Sequence, residues 1–255
     1  WSLKNLNYNF FLVEKELSLR NIAISNGIKS FENIEQLTRF ADIKFFDIIF
    51  LAVKPQQMKN TIRVFSKFDL KKTLFISIAA GLSFDWFQSL FNKNIKIIRA
   101  MPNLPASVGF GVTGYCKTSN VNDSELKDIH KLLSAFGKAI YLESEDLIDV
   151  VTAISGSGPA YVCYFAEVLS DIGVIQGLSK KDAKTLAIET IIGSARLLEI
   201  SNIDPKILKE NVTSPGGTTE AGLEVLASDN SGLYTLLKKT VDIAKQRAID
   251  LNYRS

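Results

Sequence analysis

Apolar runs alternate with amphipathic stretches through the first 142 residues, and after that the chain turns helical throughout. Residues 10–13, Phe-Phe-Leu-Val, are a short apolar run followed by a helical stretch ending near Gly27, which reads as strand then helix. The pattern recurs with strands expected at 47–53, 73–78 and 96–101, the first two followed by helices from Pro55 and over 83–91. Apolar strands alternating with helices predict a doubly wound parallel sheet, in which ligands gather at the carboxyl ends of strands. Val108, Phe110, Val112 and Tyr115 are spread along a strand-like run ending at Cys116. A formal Gly-x-Gly-x-x-Gly lies inside it, at 109–114, and is rejected as a dinucleotide fingerprint because it neither follows one strand nor opens a helix. Residues 123–136 place Leu126, Ile129, Leu132, Leu133 and Phe136 on one helical face, Gly137 stops that helix, and 138–142 add a last strand.

Beyond 143–146 the character changes, which predicts a boundary between a domain at 1–144 and an all-helical domain at 145–255. Helices expected over 159–175 and 183–198 are apolar nearly all round. Helices without a polar face need cover on every side, so an interlocked homodimer is the economical solution. Serines 155 and 157 are expected to cap the first of them, with Pro159 in its opening turn. The stretch Thr213-Ser-Pro-Gly-Gly-Thr-Thr-Glu-Ala-Gly222 reads as a helix start facing a ligand. Its unpaired amides and the positive end of the helix dipole suit a carboxylate or a phosphate, although an ordinary capped helix has the same composition.

Composition narrows the field without identifying a chemistry. A net charge of +3 over 255 residues, with acids and bases interspersed, carries no block for nucleic acid or a membrane surface. The longest apolar runs fall short of a span, no secretory signal is visible, and a cytoplasmic location is expected. Cys116 and Cys163 lack metal-ligand spacing and are expected to be buried or partly buried free thiols. The single histidine, His130, lies among charged residues and is expected to have a surface role.

Four separated motifs resemble the pyrroline-5-carboxylate reductase family: Leu51-Ala-Val-Lys-Pro55, Arg99-Ala-Met-Pro-Asn-Leu-Pro105, Ile154-Ser-Gly-Ser-Gly-Pro-Ala-Tyr161 and Asn211-Val-Thr-Ser-Pro-Gly-Gly-Thr-Thr219. The resemblance implies a Rossmann-type domain followed by a helical domain for substrate binding and dimerisation, with further assembly of dimers into rings in some members. It implies NADPH, with NADH often accepted, as reductant of 1-pyrroline-5-carboxylate to L-proline. Cofactor contacts are expected at Ala52, Val53, Lys54, Pro55, Ala80 and Asn211. Substrate contacts are expected at Glu145, Ser214, Gly217, Thr218 and Thr219, with the Thr219 hydroxyl on the ring nitrogen and no metal.

A member of the family has a first strand and a glycine-rich turn ahead of the segment at 10–13, and residues 1–9 do not supply them. The expectation is that the chain lacks its beginning; a divergent relative with impaired cofactor binding is the other account. Glu14, where such folds read the adenosine ribose, favours a free 2′-hydroxyl, and Lys15 or Arg20 offsets it, so cofactor choice stays open at this point. Two competing functions remain beside the reductase: a non-catalytic dimeric relative, and a reductase of another small imino or keto acid.

Overall fold

A computed structural model describes residues 8–252 apart from 42, 44, 92 and 93. The expectation about the chain's first residues therefore lies almost wholly outside the described residues. Two compact units are present: the described parts of Trp1–Gly156 with Lys245–Ser255, and Ser157–Ala244. A division by packing at 156/157 and one by element type at 144/145 answer different questions, since the helical segment 145–156 packs with the sheet.

The first unit begins with β1 (Phe11–Val13), α1 (Leu17–Ser25), β2 (Lys29–Phe31) and α2 (Ile34–Ala41). It continues with β3 (Ile48–Leu51), α3 (Pro55–Arg63), β4 (Leu74–Ser77), α4 (Phe84–Phe91) and β5 (Lys96–Met101). A 3-10 turn (Leu104–Val108), β6 (Gly111–Lys117), α5 (Asp123–Ser134), β7 (Gly137–Tyr141) and α6 (Leu147–Val151) complete it. Strands β3 to β7 form one sheet in sequence order, and β1 pairs with β2 alone. All neighbours are parallel except β5 and β6, which run antiparallel with Ile98 opposite Lys117 and Met101 opposite Gly114.

The expectation of a parallel sheet holds for every pairing but β5–β6, across which β6 and β7 together run opposite to β3–β5. Asn103 explains the reversal: its Oδ1 accepts from the Val112 N–H at 2.9 Å, so the turn at 101–103 is tied to the start of the returning strand. Gly109 ends the 3-10 turn in the left-handed region (φ 82°), and Gly111 and Gly114 lie inside β6, so the rejected fingerprint is sheet. The two faces of the central strands fill different cores. Phe75 and Ile97 pack with Met58, Leu82 and Phe87 on one side, while Ile76 and Ile98 pack with Tyr115, Ile129 and Leu133 on the other. This alternation is what a strand buried on both faces requires. Helix α5 opens with a full capping box, Asn122 and Glu125 each accepting the other's backbone N–H. His130 is exposed, and its Nδ1 lies 2.9 Å from the Tyr115 hydroxyl.

The second unit holds α7 (Gly158–Ile175), α8 (Lys180–Ser201), α9 (Pro205–Asn211), α10 (Thr218–Leu226) and most of α11 (Leu233–Asn252). Serine caps at the start of α7 were expected and are not made. Instead α6 passes through a π-helical turn (Thr152–Gly156), where the Ser155 hydroxyl donates to the Val151 carbonyl, and Ser157 makes no side-chain cap. The preceding helix already supplies backbone acceptors, so a cap has no orphan donors to serve. No residue of α7 is buried within the chain, and Val162, Tyr164, Phe165 and Ile172 are all exposed. Cys163 is likewise exposed, against the expectation, because it lies on an open groove beside α8 rather than under it. Val162, Cys163, Ala166, Ile188, Ile191 and Ile192 line a groove of about 490 Å³ between α7 and α8.

Candidate active site

Small residues follow two adjacent parallel strands, Ala52 after β3 and Ala79 to Gly81 after β4. After β3 the chain leaves through Ala52, Val53 and Lys54 into Pro55, the first residue of α3. Ala52 and Lys54 are exposed, and Val53 and Pro55 half-buried. Lys54 occupies the N-cap position and, having no acceptor atom, makes no side-chain bond to the start of the helix. After β4 come Ala79, half-buried Ala80 and Gly81, whose φ of 72° needs glycine for the turn into α4. These two turns fit a nicotinamide cofactor in that adjacent parallel strands carry them at the same end of the sheet and each has a small residue, Ala52 or Ala80.

Glu145 stands just ahead of α6 and is not a solvated boundary acid. Its Oε1 accepts from the Phe84 N–H at 2.7 Å and from Arg99 Nη1 at 2.5 Å. Arg99 sits in the middle of β5, 3% exposed, and its Nη2 has no acceptor among the described residues. An unpaired buried donor costs about 1–3 kcal/mol. Sequence reasoning took Arg99 only as part of a motif. The signal was there in one charged residue inside the apolar run Ile97, Ile98, Ala100, Met101.

Around this pair the ionisable groups are pushed toward neutrality. Burial raises the Cys116 thiol to about 12, with Arg99 opposing, so it is no nucleophile. Burial also raises the Asp149 carboxyl; Arg99 pulls it down, and Glu145 and Asp146 add to the rise. A carboxyl raised in the folded state contributes stability that is complete below its unfolded value and lost as pH rises through the folded one. Asp149→Asn is therefore expected to raise the thermal midpoint at neutral pH and to change it little below about pH 3.9, the ordinary value for aspartate. A gain of equal size at both pH values would show that charge is not the cause.

In the second unit the turn before α10 is built for an anion. Gly216 has φ 69°, Gly217 is the N-cap, and Thr218 and Thr219 are the first two residues of the helix. The Gly217 N–H donates to the Ser214 carbonyl at 3.0 Å, and the Gly216 N–H to Glu220 Oε2 at 2.6 Å. The amides of Thr218 and Thr219 are thus the donors that the turn leaves for a ligand. Ser214, Thr218, Thr219 and Asn211, the last residue of α9, are all exposed.

A Rossmann-type sheet with ligand-ready turns, followed by helices that need a partner, defines a dimeric dinucleotide-dependent oxidoreductase. Residues 145–251 match the family model for pyrroline-5-carboxylate reductase dimerisation. The chain is 34% identical over 241 residues to pyrroline-5-carboxylate reductase of Aquifex aeolicus, covering 92% of this chain and 89% of the relative. The solved pyrroline-5-carboxylate reductase of Coxiella burnetii superposes with a TM-score of 0.87 at 32% identity, over 98% of this chain and 92% of that one. The Plasmodium falciparum pyrroline carboxylate reductase, solved with NADP bound, gives a TM-score of 0.75 at 32% identity, over 88% and 82%. The chain belongs to the pyrroline-5-carboxylate reductase family, and its helical part is that family's dimerisation domain. No helix among the described residues is long and apolar enough to cross a membrane.

Proposed function

We propose that this chain reduces the cyclic imine 1-pyrroline-5-carboxylate to L-proline with NADPH, NADH also being accepted, in the last step of proline biosynthesis. The observation that carries the reading is the pair of unengaged amides at Thr218 and Thr219, at the positive end of a nine-residue helix. Free amides at the positive end of a helix dipole suit a small carboxylate. The cofactor, when bound, supplies the hydride, which goes to the imine carbon while the ring nitrogen gains a proton.

Every other task falls to residues of this chain. The turns at 52–55 and Ala80, with Asn211, hold the cofactor, and the Lys54 ammonium is placed for one of its phosphates or hydroxyls. Ser214, Thr218 and Thr219 hold the substrate carboxylate and ring, and Gly217, whose N–H is given to the Ser214 carbonyl, lets the substrate approach the backbone. The Thr219 hydroxyl orients the ring nitrogen; a threonine is too weak an acid to protonate it unaided at neutral pH. Glu145 is assigned to the substrate side through the free edge of its carboxylate. The unit pairs as a homodimer in the cytoplasm, and a ring of such dimers belongs to the same proposal.

The test is imine-dependent oxidation of NADPH by the protein purified from its native source. Turnover with 1-pyrroline-5-carboxylate and none with open-chain keto acids supports the assignment. NADPH oxidation with keto acids alone would move it to a different substrate class, and no oxidation at all would leave a binding protein.

A further inference from the structure

Phe84 opens α4, and the first N–H groups of a helix have no acceptor within it. Here one is met from 61 residues away, by Glu145 Oε1, and a second locally, by the Ser83 hydroxyl accepting from the Trp86 N–H at 3.2 Å. The start of α4 is therefore anchored to the segment ahead of α6, immediately after the turn through Ala79, Ala80 and Gly81. The same Oε1 takes Arg99 Nη1. A single oxygen thus ties β5, the β4–α4 turn and the approach to α6 together.

Stability does not account for Arg99. It places a charge in the sheet interior with one Nη2 unpaired, where an aliphatic side chain would pack without that cost, and buried ion pairs give little net stability over apolar replacements. What the guanidinium secures is direction. The Glu145 side chain is 27% exposed, so without Arg99 it is free to turn toward water and leave the Phe84 N–H without its acceptor.

We propose that Arg99 is a positioning residue for cofactor binding: through the Glu145 carboxylate it fixes the turn at 79–83. The proposal rests on the assignment of that turn to the nicotinamide. Four variants test it: Arg99→Met, Arg99→Lys, Glu145→Gln, and Arg99→Met with Glu145→Gln. Each is measured for NADPH binding by fluorescence without imine, for thermal midpoint, and for hydrogen exchange across residues 79–86.

Arg99→Met is expected to weaken NADPH binding about tenfold, with part of the loss recovered in Arg99→Lys. The double variant is expected to melt at or above the wild-type temperature and still bind NADPH as weakly as Arg99→Met. Exchange at 79–86 rises in both. Wild-type affinity and wild-type exchange in the double variant would overturn the proposal. So would a loss of affinity that only follows a lowered midpoint. Failure of the wild-type protein to bind NADPH sinks the reductase assignment instead, and the exchange data alone then decide whether Arg99 orders the turn.

Discussion

Thr219→Ala is expected to lower the rate constant for imine reduction by about 100-fold, the usual scale for removing one aimed hydrogen bond at a reacting centre. The hydroxyl is exposed at the second position of α10 and no hydrogen bond from it is made among the described residues, so its loss does not disturb the core. Alanine keeps the backbone amide, and carboxylate binding should persist. The signature is therefore a fall in kcat with the KM for NADPH unchanged. Residual turnover is expected, because the proposed carboxylate contacts of the backbone amides at positions 218 and 219 are kept. An unchanged kcat would remove Thr219 from the chemistry and return the turn to the status of a well-capped helix.

The second large effect is structural and comes from one glycine. Gly137 pairs with Gly111 at the start of β7 with φ 134°, and a Cβ built there would lie 2.0 Å from the Gly111 carbonyl oxygen. That obstacle is backbone in a paired strand, so nothing can give way without opening the β6–β7 ladder. Gly137→Ala is expected to cost about 4 kcal/mol, at the severe end for one substitution. For a chain this size that lowers the thermal midpoint by about 10 °C. Gly109→Ala separates the two causes. Gly109 has φ 82° with nothing within 4 Å of a Cβ, so it carries the conformational cost of about 1–2 kcal/mol without the clash. Equal losses in the two variants would show that dihedral strain, not space, sets the cost at Gly137.

Much of the sheet region was legible because its strands are apolar on both faces and helices between them, such as α5, are not. The expected strands at 47–53, 73–78 and 96–101 contain β3, β4 and β5, and the helix expected over 123–136 contains α5. β2 and α2 are among the elements that went unread. β2 has only three residues, Lys29–Phe31, too few to show a period, and α2 is short and follows it within three residues. The direction of β6 could not be read either, since periodicity reports which face a residue takes and not which way its strand runs.

The candidate site divides along the same line. The turn at 213–222 announces itself locally through proline, glycine and threonine, and the structure builds a helix start there. The partners of Glu145 lie 46 and 61 residues away in sequence. Pairings of that kind are made by the fold and leave only an oddly placed charge for a reader of the chain. The number of amides left for a ligand was also hidden, because Gly217 donates within its own turn.

Helix α7, 18 residues long with none of them buried by its own chain, makes the folding of the helical unit a bimolecular matter. Its folding free energy is inseparable from the concentration of the chain, as in obligate dimers, and no subunit's fold is a private property. A copy damaged at a strand end keeps α7 and still pairs with a sound one, whereas a copy whose α7 cannot pair leaves the sound copies to one another.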